Sequence, residues 1–194
     1  DFEVIVMPRG TRQIDVFEWI DGRQLGSVES GVHGDAAAIA EQYGMIGATA
    51  ARMHNHAAQW RCPAGFRRHA WDAEGLVGEQ PFWGRFWELA ALTPGQKDLL
   101  IRARAKIAEE LTAYGTGSDR YGLIHADLVP ENLLVDGDRV QVIDFDDAGF
   151  GWHLFELATS LYFITGDSIY PAAREALIRG YRGEREMPEA ALAW

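Results

Sequence analysis

Two short apolar runs, LLV at 133–135 and RVQVIDF at 139–145, are separated only by Asp136-Gly137-Asp138. That spacing leaves the chain little choice. Asp-Gly supplies the positive-φ turn that lets two strands fold back on each other, so it predicts an antiparallel hairpin. Pairing 133–135 with about 140–143 brings Asn132 and Asp144 to the same end of the ribbon. Just upstream, "GLIHADLVPENLLV" (122–135) places His125, Asp127 and Asn132 in one loop ahead of the first strand. Asp and Asn are also common turn residues, so turn and capping duty is the bland reading. The other reading is chemical. Two oxygen ligands at one end of a hairpin, beside a third carboxylate, suit a hard cation such as Mg²⁺. An Asp left free of the metal can orient or deprotonate an attacking hydroxyl.

The rest of the chain builds a frame for this loop. "FEVIVMP" and "QIDVFEWI" flank the turn signals of "PRGTR" and predict an N-terminal β-hairpin. A lone hairpin is marginal in water, so it should belong to a larger sheet. Asp35 is placed to cap a helix over 36–57, with Ile39, Tyr43, Ile46, Ala50 and Met53 on one face. Gly44 and Gly47 weaken that helix but permit close packing. The aromatic segment at 60–92 reads as a packed loop with a short helix near Phe82 to Leu89. Thr93, Pro94 and Gln96 form a capping box for a helix to Tyr114, with Leu99, Leu100, Ala103, Ile107 and Leu111 inward. Two further helices are expected near 152–165 and 171–182. The fold class is α+β, mostly helical, with one small two-stranded insert.

Here the residues carry a resemblance. "HADLVPENLL" followed by "IDFDD" resembles the catalytic loop and metal-binding segment of the protein-kinase-like fold, in the order H-x-D-x-x-x-x-N and then D-F-x. The downstream "DDAGFGWHLFELATSL" and the hinge-like "DVFEWIDGRQL" are similar to the aminoglycoside phosphotransferase and choline kinase branch. The resemblance implies an ATP-dependent kinase whose C-terminal lobe occupies residues 21–194, with residues 1–20 a remnant of the N-terminal sheet and hinge. Asp127 is then the catalytic base, and Asn132 and Asp144 hold Mg²⁺ against the ATP phosphates. His125 packs the loop beside Phe145. Glu156, where that branch commonly has Asp, anchors the loop's backbone. Glu18 and Ile20 offer backbone groups to the adenine edge, Phe17 lies behind it, and Leu134 and Ile143 form an apolar floor.

Departures narrow the reading. Ala126 stands where protein kinases have Arg, which argues against control by a phosphorylated activation loop. Val129 replaces a cation or histidine, and Asp146 replaces the Gly of D-F-G. No Gly-rich loop or Lys-bearing strand precedes the hinge, and "PEAALAW" reads as the start of another helix. A piece of a longer kinase, cut at both ends and inactive alone, is the expectation. The acceptor is expected to be the hydroxyl of a small molecule. A stress-response Ser/Thr protein kinase and a non-catalytic nucleotide-binding scaffold are the alternatives. With 18 basic and 29 acidic residues the net charge is −11, which disfavours nucleic acid and fits a cationic substrate, though solubility explains it equally well. Asp146 and Asp147 fit either metal or substrate contact or plain solvation. "PFWGRFWEL" fits either a cation cage or core packing. His54 and His56 read as helix-end residues, and His153 as a packing or capping residue. A single cysteine, Cys62, and the lack of an ~18-residue apolar window point to a reducing, cytoplasmic setting without a membrane span.

Overall fold

Asp35 starts the longest helix as its sequence requires. Its carboxylate accepts the Ala37 N–H at 2.7 Å, and helix α1 runs Ala36–Gln59. The structure is a computed structural model and describes residues 2–7, 10–16, 18–27, 29–32 and 34–187. Five short strands precede α1. Strands β1 (Phe2–Met7) and β2 (Gly10–Asp15) form an antiparallel hairpin, and β3 (Arg23–Gln24), β4 (Gly26–Ser27) and β5 (Gly31–Val32) follow. After α1 come β6 (Ala70–Trp71), α2 (Ala73–Val77), a 3₁₀ turn at Phe86–Glu88, and α3 (Pro94–Tyr114). Next are β7 (Tyr121–Ile124), a 3₁₀ turn at Pro130–Asn132, β8 (Leu133–Asp136), β9 (Arg139–Val142) and β10 (Gly149–Trp152). Helices α4 (His153–Tyr162) and α5 (Tyr170–Glu184) close the described chain.

The core lies between α1, α4, α5 and the β8–β9 hairpin, around Tyr43, Ile46, Leu128, Leu133, Ile164 and Leu177. Helices α1 and α5 approach backbone to backbone. A Cβ on Gly47 would strike the Leu177 carbonyl, and one on Gly180 would strike the Gly44 carbonyl, so glycine is the residue that fits. The two glycines that weaken α1 are therefore where it docks.

Several expectations are corrected. The β8–β9 hairpin is not a two-stranded insert, because β3 pairs with β8 to make a third strand. A second three-stranded sheet, ordered β6-β10-β7, brings 70–71 beside 149–152 and 121–124. The helix expected over 82–89 is broken by Gly84 at φ +81°, and only the 3₁₀ turn after it forms. Asp72 instead caps α2, accepting the Gly75 N–H at 2.9 Å. Helix α3 has its capping box, but none of its residues is buried. Leu99 and Ile107, expected inward, are exposed. The helix is held on one narrow side, where Arg104 donates to the Val77 carbonyl at 2.6 Å and lies over the Trp87 ring at 4.1 Å. The helix expected over "PEAALAW" lies outside the described residues.

Candidate active site

The hairpin register decides which polar groups meet. Leu133 pairs with Val142, and the ladder extends one step as the Ile143 N–H donates to the Asn132 carbonyl at 3.0 Å. Asn132 and Asp144 thus emerge at one end of the ribbon. The Asn132 amide is aimed by its neighbour: Nδ2 donates to the Asp127 carbonyl at 3.0 Å and to the Asp127 carboxylate at 2.8 Å. With both protons committed, the amide oxygen is the atom left to ligate. Asp144 adopts φ +63°, unusual for a non-glycine residue, and its exposed carboxylate leaves the turn at the same end. Partial burial raises the Asp127 carboxyl above its ordinary range, and the nearby charge of Asp147 adds to this. His125 and Asn132 pull the other way, with Asp144 raising it slightly further.

The loop carrying Asp127 is clamped from below. Glu156 is fully buried, and its two oxygens accept the His125 N–H at 2.9 Å and the Ala126 N–H at 2.6 Å. Ala126 sits at φ +69°, so the clamp holds a strained residue directly before Asp127. His125 donates from Nε2 to the Ile143 carbonyl at 3.0 Å, accepts the Asp127 N–H on Nδ1 at 3.2 Å, and meets Phe145 edge to face at 4.6 Å. These bonds fix the orientation of the ring and tie the two halves of the site together.

His54, which the sequence suggests is a helix-end residue, is fully buried beneath this clamp. Its Nδ1 is hydrogen-bonded to the Tyr181 hydroxyl at 2.8 Å, its Nε2 lies 3.6 Å from Glu156 Oε1, and its ring stacks on His153 at 4.2 Å. Burial, with His54 and Arg185 adding to it, pushes His153 down to about 3, so this imidazole is neutral at physiological pH. The "MHNH" spacing on an amphipathic helix carries a signal for His54, since residue 54 continues the 39–43–46–50 stripe.

The nucleotide-side residues are less tightly gathered. Glu18 and Ile20 lie in exposed irregular chain, and Phe17 lies outside the described residues. Leu134 and Ile143 are half-buried on the hairpin. The segment that touches the hairpin begins at Asp21, whose carbonyl accepts from Gln141 Nε2 at 3.3 Å; Gly22 follows, leaving only 2.9 Å between a notional Cβ and Leu134 Cβ. The chain at Asp21 and Gly22 therefore passes the Leu134 edge. Among the described residues no group of three His, Cys, Asp or Glu could hold a metal ion; the oxygen donors that the hairpin brings to one end are the Asn132 amide and the Asp144 carboxylate.

This geometry can be set against known proteins. The sequence profile of the phosphotransferase enzyme family matches residues 9–192. The chain belongs to that family. Amicoumacin kinase of Bacillus subtilis (strain 168) is a relative 25% identical over 134 residues, 64% of this chain and 37% of that protein. A microcompartment-associated aminopropanol kinase superposes with a TM-score of 0.76 at 34% identity, over 98% of this phosphotransferase-family chain and 57% of that structure. An amicoumacin kinase in complex with AMP-PNP, Ca²⁺ and Ami shares the fold, with a TM-score of 0.73 at 22% identity, over 100% of this chain and 56% of that one. The chain thus spans little more than half the length of these structures, and less of the curated relative. The protein-kinase-like α+β fold expected from the loop motifs is the fold of these phosphotransferases.

Proposed function

We propose that the protein to which this chain belongs transfers the γ-phosphate of ATP to the hydroxyl of a small amino alcohol, using Mg²⁺. The observation that carries the reading is the Asn132 amide, aimed by two bonds to Asp127 at the end of the hairpin where Asp144 emerges. An amide oxygen and a carboxylate suit Mg²⁺, which keeps several waters and takes the rest of its shell from substrate phosphates. When bound by Asn132 and Asp144, the ion supplies charge neutralisation for the β- and γ-phosphates. Asp127 orients the acceptor hydroxyl and takes its proton, and its raised proton affinity makes it a better acceptor than an ordinary carboxylate. His125, Ala126 and Glu156 hold that carboxylate in place, which is where positioning contributes to rate. Glu18, Ile20 and Phe17 meet the adenine, over Leu134 and Ile143.

A cationic acceptor is favoured by two features. Asp144 and Asp147 lie close enough to Asp127 for their charges to raise its carboxyl, so three carboxylates gather at this end of the loop. Beside them stand exposed Phe82 and Trp83, packed on Trp71 at 5.1 and 5.8 Å. Such rings attract an ammonium group. No helix among the described residues is long and apolar enough to cross a membrane. The test is a screen of ATP-dependent phosphorylation across 1-amino-2-propanol, ethanolamine, choline and uncharged alcohols with the full-length protein. Turnover restricted to the amino alcohols is expected. Equal use of uncharged alcohols would remove the case for a cationic acceptor, and no transfer to any alcohol would remove the reading itself.

A further inference from the structure

The turn that carries Asp144 is exposed, yet the three carbonyls that follow are all taken. Arg68 donates from Nη1 to the Asp146 carbonyl at 3.0 Å and from Nη2 to the Phe145 carbonyl at 3.4 Å. The Asp147 carbonyl accepts twice, from the Trp71 indole N–H at 2.8 Å and from His69 Nε2 at 3.1 Å. Apart from the Ala148 N–H, which donates to the Phe145 carbonyl at 3.1 Å and closes the turn, these donors come from one short segment, 68–71, separated from its acceptors by 76 to 78 positions in sequence.

That segment is itself fixed. It pairs with β10 in parallel, Ala70 opposite Phe150 and Trp71 opposite Gly151, and the Phe150 N–H donates to the His69 carbonyl at 3.0 Å. A Cβ on Gly149 would lie 2.8 Å from that carbonyl, so the approach of 68–71 needs glycine there; one on Gly151 would meet Ile124 Cδ1 at 2.5 Å and crowd Trp71 Cβ at 3.2 Å. By contrast, Asp144 itself has weak local support: its carboxylate accepts only the Asp146 N–H, at 3.4 Å. A non-glycine residue at φ +63° relaxes unless its surroundings over-determine it. Beyond the local turn bond from the Ala148 N–H, the surroundings that do so here are the donors of 68–71.

We propose that Arg68, His69 and Trp71 are positioning residues for the metal site: they grip the 145–147 backbone from behind and so set the direction in which Asp144 presents its carboxylate. The inference rests on the functional reading above. Groups that orient a metal ligand without touching the metal commonly alter metal affinity by roughly 10–100-fold when removed.

The experiment compares the full-length protein with Arg68→Ala, Arg68→Lys and Trp71→Phe, the last keeping a ring but losing the N–H donor. Calorimetry measures Mg²⁺ affinity in the presence of AMP-PNP, AMP-PNP affinity without metal, and the thermal midpoint without either. Expected is a loss of Mg²⁺ affinity of about 10-fold in Arg68→Ala and Trp71→Phe, partial recovery in Arg68→Lys, and metal-free nucleotide affinity within about twofold of the parent. A merely structural role would lower the midpoint or the active fraction and leave the Mg²⁺ affinity of the folded protein unchanged. Mg²⁺ affinity within twofold of the parent in folded variants would overturn the positioning role alone. An absence of Mg²⁺-dependent nucleotide binding in the parent would overturn the functional reading and this inference with it. Should Trp71→Phe fail to fold, Arg68→Ala decides, because Arg68 lies at the surface.

Discussion

Replacing Glu156 by Gln changes one atom and should cost more than almost any other conservative substitution in the chain. The carboxylate is fully buried and accepts two backbone N–H groups, from His125 at 2.9 Å and Ala126 at 2.6 Å. An amide has one acceptor oxygen, so one N–H loses its partner and faces an NH₂ group. A hydrogen bond to a charged acceptor is worth about 1.5–3 kcal/mol, and orphaning a buried N–H costs about 1–3 kcal/mol. Removing a buried charge offsets part of this, because only His54, at 3.6 Å, stands near enough to pair with it. The net expectation is a loss of about 2–3 kcal/mol. For a chain of this size that lowers the thermal midpoint by roughly 4–12 °C. The assay is urea unfolding followed by tryptophan fluorescence, with Trp71, Trp87 and Trp152 buried as reporters. Released from the clamp, Ala126 can leave φ +69°, so phosphotransfer should fall further than the folded fraction does. An unfolding free energy within about 0.5 kcal/mol of the parent would refute the two-acceptor reasoning.

Three other outcomes follow from the same contacts. Asp127→Asn should leave the thermal midpoint at neutral pH unchanged or slightly higher, because a raised carboxyl pKa means that the ionised group disfavours the fold as pH rises through that range; a clear drop would show that the charge is stabilising. His153, held down to about 3, binds a proton more readily in the unfolded chain, so its contribution is present above about 6.5 and is lost as pH falls towards 3. The stability-versus-pH slope over that window should flatten by up to about 1.4 kcal/mol per pH unit in His153→Gln, measured by unfolding at a series of pH values. Gly47→Ala should destabilise by about 1–3 kcal/mol, since the new methyl meets the Leu177 carbonyl; a neutral result by thermal unfolding would mean that α1 and α5 can separate there at little cost.

The loop of residues 125–132 and the hairpin are legible because their signals are local. Asp136-Gly137 sets the turn, the turn sets the register, and the register puts Asn132 beside Asp144. Helix α1 was legible for the same reason, through its cap and its apolar stripe. Of the distant pairings, the Glu156 clamp and the His125–Phe145 contact are legible only through the family resemblance, and most of the rest is not legible. Strand β10 is the segment GFGW, whose glycines lower strand propensity; Gly149 makes room for the His69 carbonyl, and Gly151 for Ile124 and Trp71. Strand β6 is two residues long and has no pattern to read. His54 and Glu156 meet across the fold, and only the buried stripe of α1 hinted that a histidine could point inward. Helix α3 shows the opposite failure. Its apolar spacing was real, but nothing among the described residues covers Leu99 and Ile107.

The most direct test of the account is the rate of γ-phosphate transfer in a single turnover by Asp127→Asn, in the full-length protein at saturating Mg²⁺ and ATP, with the best amino alcohol as acceptor. If Asp127 aligns the hydroxyl and takes its proton while Asn132 and Asp144 hold the metal, transfer should slow by roughly 10²–10⁴-fold, with MgATP affinity unchanged. Transfer at close to the parent rate would contradict the assignment of Asp127, and with it the reading of the loop.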